Sequence, residues 1–126
     1  MTVALRHVTF DCVHAGRLAG FWSQVLGEDV DDGANEYFAT IGLRRPQPLR
    51  PALMFLKVPE PKTVKNRVHL DLGTDDLTGE TARVCGLGAT HVADFDEYGT
   101  RWASFRDPEG NEFDIGTAST TGAATG

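Results

Sequence analysis

The run Lys65-Asn66-Arg67-Val68-His69-Leu70-Asp71-Leu72-Gly73 sets an imidazole and a carboxylate two residues apart. With period-two alternation, Val68, Leu70 and Leu72 point to one side and Arg67, His69 and Asp71 to the other, the pattern of a half-buried antiparallel strand. Residues 3–12 repeat the arrangement, with Val8, Phe10 and Cys12 on one side and His7, Thr9 and Asp11 on the other. Imidazoles and carboxylates on a polar sheet face are metal-ligand types if that face lines a cup. In the plainer case each only hydrogen-bonds a neighbouring strand. Other chemistries lack their residues. No cysteine or serine has a paired base for nucleophilic catalysis, and Asp107-Pro108-Glu109-Gly110-Asn111 is a turn, not a phosphate cradle.

These strands need elements to hold them. Residues 15–26 place Leu18, Phe21, Trp22, Val25 and Leu26 at helical spacing, with Gly27 as the stop. Residues 77–87 form a weaker helix with Leu77, Ala82, Val84, Cys85 and Leu87 as its apolar side. Asp75 or Asp76 is its N-cap, Glu80 lies in the first turn and Gly88 is the stop. Strand-like runs follow each helix, at 36–43 and 52–58 in the first half and at 90–95, 101–106 and 112–116 in the second. Asp31-Asp32-Gly33 is a turn, and the proline-rich stretch 44–51 is a surface loop. Residues 117–126 contain no large apolar side chain and are expected to be disordered.

A chain of 126 residues with 40% hydrophobic content suits one globular domain. A net charge of −6 argues against a general nucleic-acid or anionic-membrane partner. No apolar run approaches a membrane span and the N-terminus does not resemble a signal peptide, so a cytoplasmic protein is expected. Cys12 and Cys85, in no CxxC spacing, read as two reduced thiols.

The halves also match each other. His7 through Leu26 is 20 residues and His69 through Leu87 is 19, and each half runs strand, helix, then strands. A repeat of this size is a duplicated supersecondary unit. The expected fold class is therefore α+β: two βαβββ modules, about 3–58 and 66–116, forming a cupped mixed sheet with helices on the outer face. Together they make a single domain over 1–116, followed by the tail.

The segments Leu5-Arg6-His7-Val8, Phe21-Trp22 with Leu26-Gly27, Pro59-Glu60-Pro61-Lys62, 65–72 and 107–113 resemble the glyoxalase-like proteins of the vicinal oxygen chelate superfamily. The resemblance covers nearly all of 3–116. It implies metal ligands on the first and last strands of each module, which here fall on His7, His69 and Asp114. Glu112 lies two residues too near the turn, and the fourth place falls near Phe55, on a strand with no acidic or imidazole residue. All three candidates sit at non-apolar positions of their strands. Such a set suits a divalent metal such as Fe, Mn, Zn or Ni, although Asp114 could instead pair with Arg67 or Arg101. The missing fourth ligand argues against true glyoxalase I activity.

Phe38, Phe55, Tyr98, Arg101 and Trp102 are the expected substrate-binding residues, the aromatics as walls and Arg101 for an anionic group. Two functions remain open. One is a metal-dependent lyase, isomerase or dioxygenase acting on a vicinal-oxygen substrate. The other is a metal-free module that sequesters an antibiotic or metabolite. A homodimer is expected in either case.

Overall fold

The computed structural model describes residues 2–117. The chain divides into two compact units, Met1–Lys62 and Thr63–Gly126. The first unit runs β1 (His7–Cys12), α1 (Ala15–Leu26), β2 (Phe38–Ile41) and β3 (Ala52–Lys57). Its sheet has the order β1-β3-β2, with β1 parallel and β2 antiparallel to β3. The further strand expected after the helix is reduced to a single bridge between Val30 and Ile41.

Helix α1 spans the expected residues. Gly27 adopts φ 68° and closes it by donating its N–H to the Ser23 carbonyl. The N-cap is His14, whose Nδ1 accepts from the Arg17 N–H at 3.1 Å. Leu18, Phe21, Trp22 and Val25 are buried, while Leu26 falls outside the buried stripe. The Trp22 ring lies 5.4 Å from Phe10 of β1 and 5.5 Å from Phe21, and Phe10 stacks on Phe55 of β3 at 5.1 Å. These rings are the centre of the unit's core.

Asp31 organises the turn after α1. One carboxylate oxygen accepts from Thr40 Oγ1 at 2.6 Å, Leu43 N–H at 2.9 Å and Arg44 N–H at 3.1 Å. Partial burial alone would raise the Asp31 pKa, but these donors outweigh it and hold the carboxyl below its ordinary value of 3.8. A carboxyl depressed in the folded state contributes stability above its unfolded pKa and loses it as pH falls through the folded one. The stability gap between wild-type and Asp31→Asn proteins, read from urea unfolding, should be widest near neutral pH. It should close as pH falls below 3.8. A gap independent of pH would mean the charge is irrelevant.

The second unit runs β4 (Leu70–Gly73), α2 (Leu77–Leu87), β5 (Thr90–Glu97), β6 (Thr100–Arg106) and β7 (Glu112–Gly116). Its sheet order is β4-β7-β6-β5, with β4 parallel to β7 and the other pairs antiparallel. This is the βαβββ order expected from the sequence. Asp76 is the N-cap of α2, accepting from the Gly79 N–H at 3.0 Å. The core is built from Leu77, Val84, Ala103, Phe105, Phe113 and Ile115, and the rings of Phe105 and Phe113 stack at 5.4 Å. No helix among the described residues is long and apolar enough to cross a membrane. Cys12 and Cys85 are reduced, and the Cys12 thiol donates to the Leu56 carbonyl at 3.4 Å.

Three expectations at strand ends change. β1 begins at His7 and not at residue 3, and β4 begins at Leu70 and not at 66. Val68 therefore lies ahead of the strand and is 77% exposed, where alternation had put it on the apolar side. Thr117 is held to the sheet, its N–H donating to the Arg101 carbonyl at 2.8 Å, so an expected tail at 117–126 does not begin there. Residues 118–126 lie outside the described residues.

Candidate functional site

The polar face of the second sheet is set by strand register. Asp71 of β4 lies beside Asp114 of β7, and Asp114 beside Ser104 of β6. Cross-strand neighbours on one face are close enough for their side chains to interact. Ser104 Oγ accordingly donates to Asp114 Oδ1 at 2.7 Å. His69, immediately before β4, brings Nδ1 to 2.8 Å from Asp71 Oδ1 and 3.9 Å from Asp114 Oδ2.

The 107–111 turn determines which β7 residue reaches this cluster. Buried Asp107 accepts from the N–H groups of Glu109 and Asn111 and from Asn111 Nδ2. The closed turn pairs Arg106 with Glu112 and, two residues further out, Ser104 with Asp114. Glu112 is occupied elsewhere, accepting from the Asn66 N–H at 3.0 Å.

The ligating atoms of His69, Asp71 and Asp114 all lie within 4.8 Å of one another. The separations of 2.8 and 3.9 Å are shorter than twice the ~2.0–2.2 Å reach of a divalent ion to nitrogen or oxygen. One imidazole and two carboxylates with room left for solvent or substrate form a donor set that fits such an ion.

Beside the cluster runs an open groove of about 900 Å³, a size suited to a small organic molecule. It is lined by His69, Asp71, Thr74, Asp75, Trp102 and Asp114 with their neighbours, and its floor includes Gly73 and Gly116. These glycines are adjacent in register across β4 and β7. A Cβ at Gly116 would come within 3.2 Å of Trp102 Cβ, while one at Gly73 would enter open space. Trp102 is backed by Phe95, its neighbour across β5 and β6, with the rings 5.0 Å apart and 15° from parallel.

The other expected residues fall in several places. His7 opens β1, and its Nδ1 is buried without a hydrogen-bond partner. Phe38 is half-buried and shares with His7 the sheet face turned away from α1. Phe55 is on the opposite face, fully buried and stacked on Phe10. It fills the core, which corrects its reading as a pocket wall. Tyr98 and Arg101 are absent from the groove lining. Tyr98 is 91% exposed at φ 56° in the tight turn joining β5 to β6, and Gly99 follows at φ 74°. Arg101 alternates with Trp102 and so occupies the other side of β6. Among the described residues, Asp114 pairs with Ser104 and His69 and not with Arg67 or Arg101.

Asp71, which the sequence placed only on the polar side with His69, is part of the cluster, and Ser104 and the glycine floor were not anticipated. Ser104 carries a sequence signal: counting equally outward from the 107–111 turn pairs it with Asp114.

Comparison with known proteins gives a consistent frame. A family model described as a glyoxalase-like domain matches residues 7–116. No curated protein matches the chain in sequence. Among solved structures, a glyoxalase/bleomycin resistance protein/dioxygenase family enzyme from Burkholderia phytofirmans PsJN is similar at TM-score 0.73 and 18% identity, covering 91% of this chain and 98% of that one. The fosfomycin resistance protein FosX from Mesorhizobium loti gives TM-score 0.72 and 17% identity, with 98% and 99% coverage. A mutant FosX from Listeria monocytogenes, complexed with Mn(II) and 1S,2S-dihydroxypropylphosphonic acid, gives TM-score 0.71 and 12% identity, with 91% and 90% coverage.

Proposed function

The chain belongs to the glyoxalase-like family of the vicinal oxygen chelate superfamily, and from that premise we propose that it is a divalent-metal-dependent lyase, isomerase or dioxygenase acting on a small vicinal-oxygen molecule. The observation that carries this reading is the convergence of His69, Asp71 and Asp114 beside a groove of substrate size. In the proposal His69, Asp71 and Asp114 hold the ion, His69 and Asp114 at the family's ligand positions. Ser104 holds Oδ1 of Asp114 so that Oδ2 stays toward the imidazole. A divalent ion bound there would supply Lewis-acid polarisation of substrate oxygens. The Mn(II) held by the Listeria FosX mutant supports the reading by likeness of fold. Edge strands β4 and β5 of the second sheet support the further proposal that two copies pair.

Elemental analysis of protein purified without chelator tests the reading. About one ion per chain is expected, and markedly less in His69→Ala. Wild-type protein that retains no ion after incubation with Mn(II), Fe(II), Zn(II) or Ni(II) would rule the metal reading out.

One observation favours a second reading, a metal-free protein that sequesters a small molecule. His69 already contacts Asp71, and Asp114 already accepts from Ser104, so these polar groups have partners without an ion. An ion-free wild type that still binds ligand would establish this alternative.

A further inference from the structure

We propose that the groove of the second unit takes a ligand carrying a cationic amine next to a flat apolar ring, opposite in charge to the phosphonate held by the Listeria FosX mutant. The inference rests on the reading above that this groove is the ligand site, but not on whether an ion is bound. Three carboxylates line the groove, those of Asp71, Asp114 and Asp75, and no lining residue is lysine or arginine. His69 is the one lining side chain that can carry positive charge, and Asp71 already contacts it. Even a divalent ion would balance only two of the three carboxylates. A doubly charged phosphonate would therefore enter a negative surface, whereas an ammonium would meet attraction.

The ring preference has a separate origin. Trp102 lines the groove, stacked on the nearly parallel ring of its cross-strand neighbour Phe95. Beside it the floor is bare backbone at Gly73 and Gly116, and a Cβ at Gly73 would meet nothing within 4 Å. A flat group can lie on that floor against the indole edge and place its amine toward the carboxylates. Tryptophan is also the best aromatic partner for a cation near its face. Arg101, expected to receive an anion, sits on the far side of β6, so no arginine lines the groove to meet one.

The test titrates the full chain, after chelator treatment, with 2-naphthylmethylammonium and separately with 2-naphthylmethylphosphonate, using calorimetry. The ammonium is expected to bind at least about tenfold more tightly, and Asp75→Asn to weaken it by about threefold or more. Trp102→Leu should weaken the ammonium as well, with circular dichroism confirming that both variants are folded. Equal or tighter phosphonate binding overturns the proposal. So does ammonium binding unchanged by Asp75→Asn, or no measurable ammonium binding. Because these titrations are metal-free, they can succeed while the elemental analysis fails, and the reverse, so the two readings fail independently.

Discussion

Replacing Asp114 by alanine is expected to lower divalent-metal affinity by about a hundredfold or more while leaving the fold in place. The carboxylate contributes one oxygen toward His69 and fixes the other through Ser104, so its loss removes a ligand and its support together. The side chain lies on the groove face, away from Phe113 and Ile115, which fill the core on the other side of β7. Its stability effect should therefore be about 1 kcal/mol or less, mostly the lost hydroxyl bond. Asp114→Asn keeps an acceptor for Ser104 but no charge, and should fall between wild type and alanine in affinity. Competition against a chromogenic chelator reads the affinity, and urea unfolding with chelator present reads the stability. Unchanged metal affinity in Asp114→Ala would remove Asp114 from the ligand set.

The second large effect concerns the first unit. Trp22→Ala should destabilise the protein by about 3–5 kcal/mol, the usual range for truncating a large buried aromatic. Trp22 is 0% exposed and touches both Phe10 and Phe21, so its removal leaves a void that neighbouring rings cannot fill without leaving their own contacts. Trp102→Ala, at a half-buried groove position, should be far milder. Urea unfolding of both variants decides the point, and a loss under about 1.5 kcal/mol for Trp22→Ala would contradict the packing described.

Helices were more legible in the sequence than strand ends. Both helices have the expected bounds because their stops are glycines and their buried faces repeat at 3.6-residue spacing. β4 is shorter than its alternation implied. Alternation describes side-chain direction, but strand length depends on partner backbone, and β7 pairs with β4 only from Leu70 onward. The same limit explains the wall residues. Trp102 lines the groove, whereas Phe55 lies in the core, because the aromatic type alone does not say which face it occupies. His69 and Asp114 share one corner. Their partners Asp71 and Ser104 follow from register between strands far apart in sequence, which residue spacing within one strand does not encode.

The two units differ in how much apolar material holds them. Among the described residues, 12 buried hydrophobic side chains belong to the first unit, from Cys12 to Phe55, and six to the second, from Leu77 to Ile115. The groove and its carboxylates belong to the second. Local opening free energies follow buried apolar contact, so the sheet that carries the groove is the part with less resistance to transient opening. Anything that binds only the closed form adds RT ln(1 + [L]/Kd) to that resistance, about 2.7 kcal/mol at a hundredfold excess over Kd. Occupancy of the groove would thus double as a clamp: the lifetime of the second unit against proteolysis would become a function of ligand concentration.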